Sequence, residues 1–252
     1  MTQADQYLYN VIARKTAPPL TLNDWRLTNI KIILTNWAGS QLSELKQAGS
    51  SAKGTAIHGV SDFDIFISLK SDTTQTLKEL FNLLEAEVKQ AGIATRRQNV
   101  SIGISQHDLR IDLVPGKKQL GYQNYHSIYS SKRDTWMQAN IDIHNSTVKN
   151  SGRQNEIILT KLWRELYSLY FPSIYLELTV IEALKYRNVG DLANNFWGVL
   201  TYLRDQFTSK RVEDPSNSNN IISDTLYQTE KATIATKARE LISKPTWSEI
   251  IW

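Results

Sequence analysis

The sequence predicts an α+β fold, in which a small mixed sheet carries a helix on one face and a lobe of helices follows. Alternating apolar and polar residues predict strands at residues 62–69, 100–104 and 107–115. A helix is predicted between the first two strands from the helical spacing of Leu77, Leu80, Phe81, Leu84 and Val88. From residue 154 onward, apolar residues again recur at helical spacing, which predicts the helical lobe.

Two lobes are predicted, residues 1–150 and residues 151–252. The first begins with a helix after Pro18-Pro19 that Thr21 or Asn23 could cap. Its tryptophans, Trp25 and Trp37, are predicted to pack in the core. Further on, the rings between residues 116 and 150 are expected to pack at the seam between the lobes, with stacking on nucleic-acid bases as the alternative. They are Tyr122, Tyr125, Tyr129 and Trp136.

Composition narrows the class of protein. The 252 residues include no cysteine, which excludes disulfides and zinc-thiolate sites and fits a cytoplasmic location. No segment approaches the roughly eighteen apolar residues of a membrane span, and the N-terminus lacks the apolar region of a secretory signal. The net charge of +4 is mild and suits an anionic ligand such as a nucleotide. We therefore expect no association with a membrane.

Two carboxylates share one face of the first predicted strand. Side chains two residues apart on a strand point the same way, so Asp62 and Asp64 stand together while Phe63 points into the core. Adjacent carboxylates repel each other unless a cation lies between them. Mg²⁺ prefers such oxygen ligands together with substrate phosphates. The preceding Gly49-Ser50 pair offers backbone N–H groups and a hydroxyl for anionic oxygens.

A third carboxylate lies on the last predicted strand. Leu109, Ile111 and Leu113 form its apolar face, and Asp112 lies on the opposite face. If this strand pairs with the first, Asp112 can join Asp62 and Asp64 around two metal ions.

The ordered set of Gly49-Ser50, Asp62-Phe63-Asp64 and Asp112 resembles the signature of DNA-polymerase-β-like nucleotidyltransferases. The sequence of residues 49–67 and 112–115 is most similar to the branch of oligoadenylate synthetases and bacterial cGAS/DncV-like enzymes. The resemblance implies a nucleotidyltransferase palm with an N-terminal bracing helix and a helical lobe that completes the nucleotide-binding cleft. It also implies Asp62, Asp64 and Asp112 as catalytic Mg²⁺ or Mn²⁺ ligands, and a role in antiviral defence.

The helical lobe carries weaker parts of the same resemblance. Residues 159–184 resemble the family's lysine-containing helix followed by serine, an aromatic residue and glutamate. This implies that Lys161, placed on a polar helix face, and Ser173 contact the triphosphate along with Gly49 and Ser50. Tyr175 is the matching aromatic residue, although it lies one position later than the family pattern.

The function that follows is template-independent transfer of nucleotides from nucleoside triphosphates, ATP among them, to make a cyclic or short linear oligonucleotide signal. One alternative is addition of nucleotides to an RNA 3′ end, as in CCA-adding or poly(A)-like enzymes, and another is a non-catalytic nucleotide sensor. RNA is thus a possible activator or acceptor. The absence of an arginine-rich stripe favours the small-product reading.

Overall fold

The computed structural model describes all 252 residues and contains nine helices and nine strands. The helices are α1 (Gln3–Lys15), α2 (Thr28–Ala38), α3 (Gly49–Lys53), α4 (Leu77–Gln90), α5 (Ile141–Asn150), α6 (Gln154–Leu166), α7 (Ser173–Ala183), α8 (Leu192–Asp205) and α9 (Gln228–Ile242). The strands are β1 (Leu42–Ala48), β2 (Phe63–Leu69), β3 (Thr95–Arg97), β4 (Ile102–Gln106), β5 (Leu109–Lys118), β6 (His126–Ser130), β7 (Thr135–Ala139), β8 (Glu213–Asp214) and β9 (Asn217–Ile221). The predicted α+β class is confirmed.

Contacts divide the chain into two compact units, and neither is continuous in sequence. The sheet unit comprises Pro18–Gly54 and Val60–Asn145, and the helical unit comprises Met1–Ala17, Thr55–Gly59 and Ser146–Trp252. The predicted division into a catalytic lobe, residues 1–150, and a helical lobe, residues 151–252, stays a prediction. None of the helices combines the length and the apolar character that crossing a bilayer requires.

The sheet unit contains a seven-stranded mixed sheet. Strand order is β1-β2-β5-β4-β3, and β6 pairs with both β5 and β7. Only β2 and β5 run parallel, and the other pairings are antiparallel. The inward residues of β2, β4 and β5 pack with α2 and α4 in one apolar core, because alternation sends every second side chain to that face. The opposite face carries Asp64 and Asp112, which are direct partners across β2 and β5. Further along the same face, Phe66 of β2 packs in a second, smaller apolar cluster with Ala48, Ile128 and Ala139.

Side-chain capping occurs at the start of α4 and in the turn that precedes α2, although α2 itself has no side-chain cap. Thr76 and Glu79 form a reciprocal capping box at the start of α4. Asp24 caps a short 3₁₀ turn that precedes α2. Trp25 lies in that turn and is 71% exposed, so the prediction that it packs in the core is wrong. A bracing role for this region stays a prediction.

The aromatic residues near β6 and β7 differ in their burial. Tyr129 is buried in the core of the sheet unit, whereas Tyr122 and Trp136 are 64% and 58% exposed. The prediction that these rings pack at a seam is therefore wrong for Tyr122 and Trp136. Both lie on the surface because Trp136 points outward from β7, and Tyr122 belongs to the turn after β5.

A buried histidine lies on the polar side of β2. The Ser68 Oγ and His126 Nε2 atoms are 2.8 Å apart, and His126 Nδ1 is 3.0 Å from the Asn124 carbonyl oxygen. Since a carbonyl only accepts, Nδ1 carries the hydrogen, and the Ser68 hydroxyl donates to Nε2 in the neutral ring. Burial lowers the pKa of His126 from its ordinary value.

The helical unit packs α1 against α6 and α8, and α8 against α9. Its buried aromatic residues are Trp163, Phe171, Tyr175, Phe196, Tyr202 and Phe207. The Asp5 carboxylate contacts the N-termini of both α1 and α8. It takes part in the capping box of α1 with Thr2, and it accepts a hydrogen bond of 2.9 Å from the Ala193 N–H in the first turn of α8. These backbone hydrogen bonds lower the pKa of the Asp5 carboxyl, so it stays ionised while buried.

Candidate functional site

Strand pairing brings two of the predicted acidic residues side by side. In the parallel pair of β2 and β5, the Cα atoms of Asp64 and Asp112 are direct partners. Side chains at paired positions point to the same face of a sheet, so the two carboxylates share one face. Asp62 lies just before β2 and two residues from Asp64. The expected adjacency of these two strands is confirmed.

The Gly49 turn lies directly against the Asp64 carboxylate. Gly49 follows β1, begins α3, and has a φ of +63°. A Cβ atom at this position would lie 1.8 Å from Asp64 Oδ2, so no larger residue fits without displacing that carboxylate. Glycine therefore serves both the left-handed backbone and the close approach. The half-buried Ser50 follows it in α3.

Arginine and amide groups surround the acidic residues. Arg110 Nε lies 2.7 Å from Asp62 Oδ1, an ion-pair distance, although the N–H does not point at that oxygen. Arg96 Nη2 is 3.9 Å from Asp62 Oδ2. Gln98 Nε2 donates to Asp112 Oδ1 at 2.6 Å. The carboxylates thus have counter-charges and donors within the sheet unit itself.

The electrostatics of Asp112 reflect crowding of negative charge. Burial raises the pKa of Asp112, and the nearby Asp62 charge raises it further. Hydrogen bonds from Ser101 and Gln98 and the charge of Arg96 oppose this increase. A cation bound beside Asp112 would relieve the repulsion that Asp62 causes.

The carboxylates suit a hard divalent cation in chemistry but are not assembled around one. No group of three His, Cys, Asp or Glu side chains in the chain has the geometry to hold a metal ion. Asp64 and Asp112 supply two oxygen donors on neighbouring strands, a number that Mg²⁺ accepts when phosphates complete its shell. Asp62 faces Arg110 and would join them only after that ion pair opens.

Neither the protein-family models nor the curated protein sequences contain a match to this chain. Solved structures match nearly all of it. CdnC of E. coli MS115-1 with ATP has a TM-score of 0.77 at 19% identity, covering 97% of this chain and 96% of that one. The Bradyrhizobium diazoefficiens CD-NTase CdnG with GTP has a TM-score of 0.80 at 12% identity, covering 96% and 90%. This chain has the CD-NTase fold.

A third solved structure is similar to this chain in fold. Vibrio cholerae DncV, a cyclic AMP-GMP synthase and prokaryotic cGAS homologue, has a TM-score of 0.63 at 14% identity and covers 95% of this chain and 78% of that one. At these identities, the matches establish the fold and leave the chemistry to the residues of this chain.

The helical unit of this CD-NTase fold places Lys161 differently from the prediction. Lys161 is 1% exposed, and its Nζ lies 2.7 Å from Glu177 Oε1 and 2.9 Å from Thr55 Oγ1. The sequence pattern put Lys161 on a polar face, and that placement is wrong because α6 is buried on nearly every side from Glu156 to Trp163. A phosphate could reach this ammonium group only if the Glu177 pair opened, so we assign Lys161 to the buried ion pair.

Ser173 is placed where an anion could be bound, and the structure adds Arg164 beside it. Ser173 is exposed and is the first residue of α7. Arg164 Nη1 donates to Ser173 Oγ at 3.1 Å and to the Phe171 carbonyl oxygen at 2.9 Å. A helix N-terminus with a guanidinium group and a hydroxyl suits phosphate oxygens. Sequence reasoning missed Arg164, although its position three residues after Lys161 was the available signal.

Tyr175 is a core residue. Its ring is fully buried and packs 5.3 Å from the Phe171 ring and 5.1 Å from the Phe207 ring, measured between centroids. Burial raises the pKa of its hydroxyl well above the ordinary value. The ring has no free face for a base, so the predicted nucleotide contact of Tyr175 is replaced by a packing role.

Proposed function

We propose that this chain is a template-independent nucleotidyltransferase that joins nucleoside triphosphates, ATP among them, into a cyclic or short linear oligonucleotide signal. The observation that carries the proposal is the pairing of Asp64 with Asp112 on parallel strands, with the Gly49 turn against Asp64. The comparisons support the proposal, because structures of the same fold were solved with ATP and GTP and DncV is a cyclic AMP-GMP synthase.

The proposed reaction forms one phosphodiester bond. A hydroxyl oxygen of the acceptor nucleotide bonds to the α-phosphorus of a triphosphate, the bond from that phosphorus to the bridging β-phosphate oxygen breaks, and pyrophosphate leaves. The hydroxyl gives up its proton to solvent. Mg²⁺ or Mn²⁺ held by Asp62, Asp64 and Asp112 would supply activation of the hydroxyl and compensation of phosphate charge.

The chain's own residues bind and position the phosphates in this proposal. Ser50 and the N–H groups after Gly49 are available to phosphate oxygens beside the acidic pair. In the helical unit, Arg164 and Ser173 provide a second set of donors at the start of α7. Phosphoryl transfer depends mainly on such alignment and charge stabilisation, so these donors are assigned to positioning.

Two other functions use the same fold differently. Addition of nucleotides to an RNA 3′ end would require binding of a polyanion. The net charge of +4 is only a mild excess of positive charge for that purpose. A non-catalytic sensor would gain nothing from carboxylates placed so that burial, and then the neighbouring Asp62 charge, raise the pKa of Asp112. Synthesis of a small oligonucleotide therefore fits the residues best.

The test is chromatography after incubation with four labelled triphosphates and Mg²⁺ or Mn²⁺, with and without RNA. A cyclic product that resists phosphatase, or a short oligomer, is expected from triphosphates alone. Extension of added RNA, with no product in its absence, would favour the RNA-adding function. Nucleotide binding without any product under all conditions would favour the sensor.

Variants assign the reaction to the acidic residues. Asp62→Asn, Asp64→Asn and Asp112→Asn should each lower the rate by on the order of 10²–10³ or more while the protein stays folded, because each removes a charge placed at the reacting phosphates. The matched control is Asp108→Asn, since Asp108 immediately precedes β5 and is an exposed partner of Arg26. Near-normal transfer in the Asp64 or Asp112 variant would refute the assignment.

A further inference from the structure

A pocket lies in the sheet unit at the far end of β5, away from the acidic residues. It has a volume of about 570 Å³, within the range of about 300–1,000 Å³ typical of ligand sites. Lys117 and Lys118 at the end of β5 line it together with Leu77, Tyr122 and Trp136. Asp112 lies five residues before Lys117, roughly 17 Å along the strand at about 3.3 Å per residue. We name it the aromatic-lysine pocket.

The two lysines of this pocket carry uncompensated charge. Lys117 Nζ donates to the Thr73 carbonyl oxygen at 2.5 Å, and Lys118 Nζ donates to Ser43 Oγ at 2.7 Å. Both acceptors are neutral, and neither lysine has a carboxylate partner. Both ammonium groups are held by neutral oxygens at the lining of the pocket, and their charge favours an anionic ligand.

The aromatic wall supplies a different kind of contact. Trp136 and Tyr122 are 58% and 64% exposed, so their ring surfaces are open to solvent. Trp136 is fixed on β7, where it pairs with Tyr129 of β6, and the Tyr122 ring lies edge-on to Tyr125 with centroids 6.3 Å apart. Rings that are open to solvent, as that of Trp136 on its strand and that of Tyr122 in the turn are, can stack on planar groups.

The start of α4 borders the pocket but does not act as its anion site. The Thr76 N–H already donates to Glu79 Oε2 at 2.8 Å, so the capping box uses that donor. The lysines therefore remain the charged contacts of the pocket, and the rings remain its apolar contacts.

We propose that the aromatic-lysine pocket binds single-stranded nucleic acid, with a base stacked on Trp136 or Tyr122 and phosphates at Lys117 and Lys118. Exposed rings beside cations that follow a backbone are the combination that binds single strands without sequence preference. A duplex keeps its bases stacked on one another and would leave these rings unused. An RNA strand, a DNA strand and the chain's own oligonucleotide product share this chemistry.

Binding is measured by fluorescence anisotropy with labelled ten-nucleotide oligo(U) and oligo(dT), using the Asp64→Asn protein without triphosphates or metal. Catalytic turnover cannot contribute to this measurement, so the binding proposal and the proposed reaction are tested independently. Trp136→Ala should weaken binding by about 5-fold to 150-fold, the effect of losing one stacked base, and Trp136→Phe should restore most of it. Lys117→Ala/Lys118→Ala should also flatten the salt dependence, by about 0.7 in log–log slope for each phosphate lost.

The matched control is Lys132→Ala/Arg133→Ala, which removes two exposed basic residues from the turn between β6 and β7, outside the pocket. It should leave oligonucleotide affinity within about 2-fold of the parent, a change of about 0.4 kcal/mol. Equal losses in the control and pocket variants would overturn the proposal in favour of general surface attraction.

Competition identifies the source of the ligand. Displacement of labelled oligo(U) by oligo(U) or oligo(dT) supports a strand, and displacement by purified reaction product at lower concentration supports binding of the chain's own oligonucleotide. Displacement by polyglutamate as effective as by oligo(U), at equal charge, would overturn the nucleic-acid assignment and make the pocket a site for acidic peptides. Failure of any oligonucleotide to bind would overturn it as well.

Discussion

Replacing Lys161 by methionine removes one half of a buried ion pair and leaves the other half in place. The Lys161 and Glu177 side chains are 2% and 1% exposed, and their charged atoms are 2.7 Å apart. Without the ammonium group, the Glu177 carboxylate would be charged and buried without its counter-ion. Removing one partner of such a pair costs about 3–5 kcal/mol of unfolding free energy. For a protein of this size, that corresponds to a fall in Tm of roughly 6–20 °C.

Urea unfolding followed by far-UV circular dichroism measures this loss. The Lys161→Met/Glu177→Leu double variant should recover most of the stability, because removing both charges also removes the cost of burying them. An exposed pair gives the control. Lys78 and Asp134 lie 2.9 Å apart with side chains 56% and 62% exposed, and Lys78→Met should cost less than about 1 kcal/mol.

The reasoning fails if Lys161→Met unfolds within about 1 kcal/mol of the parent protein, since a buried unpaired carboxylate would cost more. It also fails if the double variant is no more stable than the single one. Either result would mean that Lys161 is held for a reason other than the Glu177 charge, such as direct contact with a triphosphate. Calorimetry with triphosphate and monophosphate would then separate the two roles.

Two further predictions concern the sheet unit. Gly49→Ala should abolish nucleotidyl transfer because its Cβ would lie 1.8 Å from Asp64 Oδ2. Gly54→Ala is the control: Gly54 has a φ of +72° and nothing within 4 Å of an added Cβ, so this variant should lose only about 1–2 kcal/mol of stability. Activity assays and thermal melts distinguish the two variants, and equal activity losses would contradict the steric argument. Since the pKa of His126 lies below its ordinary 6.5, the unfolded chain binds more protons, so unfolding free energy should fall as pH drops below about 6.5. Urea titrations from pH 7 to 5 should show a shallower fall in His126→Gln than in the parent protein and in the matched surface variant His58→Gln. Identical slopes in all three proteins would exclude His126 as the cause.

The central strands and the acidic pair could be predicted from sequence because local patterns determine them. Alternation in β2 separates the apolar Phe63 and Ile65 from Asp62 and Asp64, and the paired strand β5 repeats the pattern around Asp112. Burial of one face makes such patterns unambiguous. Phe63 and Ile65 are buried and Asp64 is only partly buried, as that rule requires, and Ile111, Asp112 and Leu113 repeat this on β5. Further along β2 the rule fails, because Phe66 and Ser68 are buried on the opposite face as well.

Other elements escaped prediction because their residues carry no clear period. The edge strand β1 includes the charged Glu44 and Lys46 and is only partly buried, so its sequence resembles a polar loop. The placement of Lys161 depended on Glu177, sixteen residues later, and on Thr55, far earlier in the chain. Helical periodicity shows which residues share a face, but it does not show how many faces a helix buries. Arg164 was missed for the same reason, since its partner Ser173 belongs to another helix.

The division of the chain has a consequence for any attempt to shorten it. The backbone passes between the sheet unit and the helical unit four times, after Ala17, Gly54, Gly59 and Asn145. A fragment beginning at residue 146 would lose α1 and also Thr55, whose hydroxyl accepts from Lys161. A fragment ending at residue 145 would carry those segments without the helices they pack on. One proteolytic cut therefore cannot release either unit whole, and gene truncation at a single boundary is expected to yield insoluble protein rather than a working half.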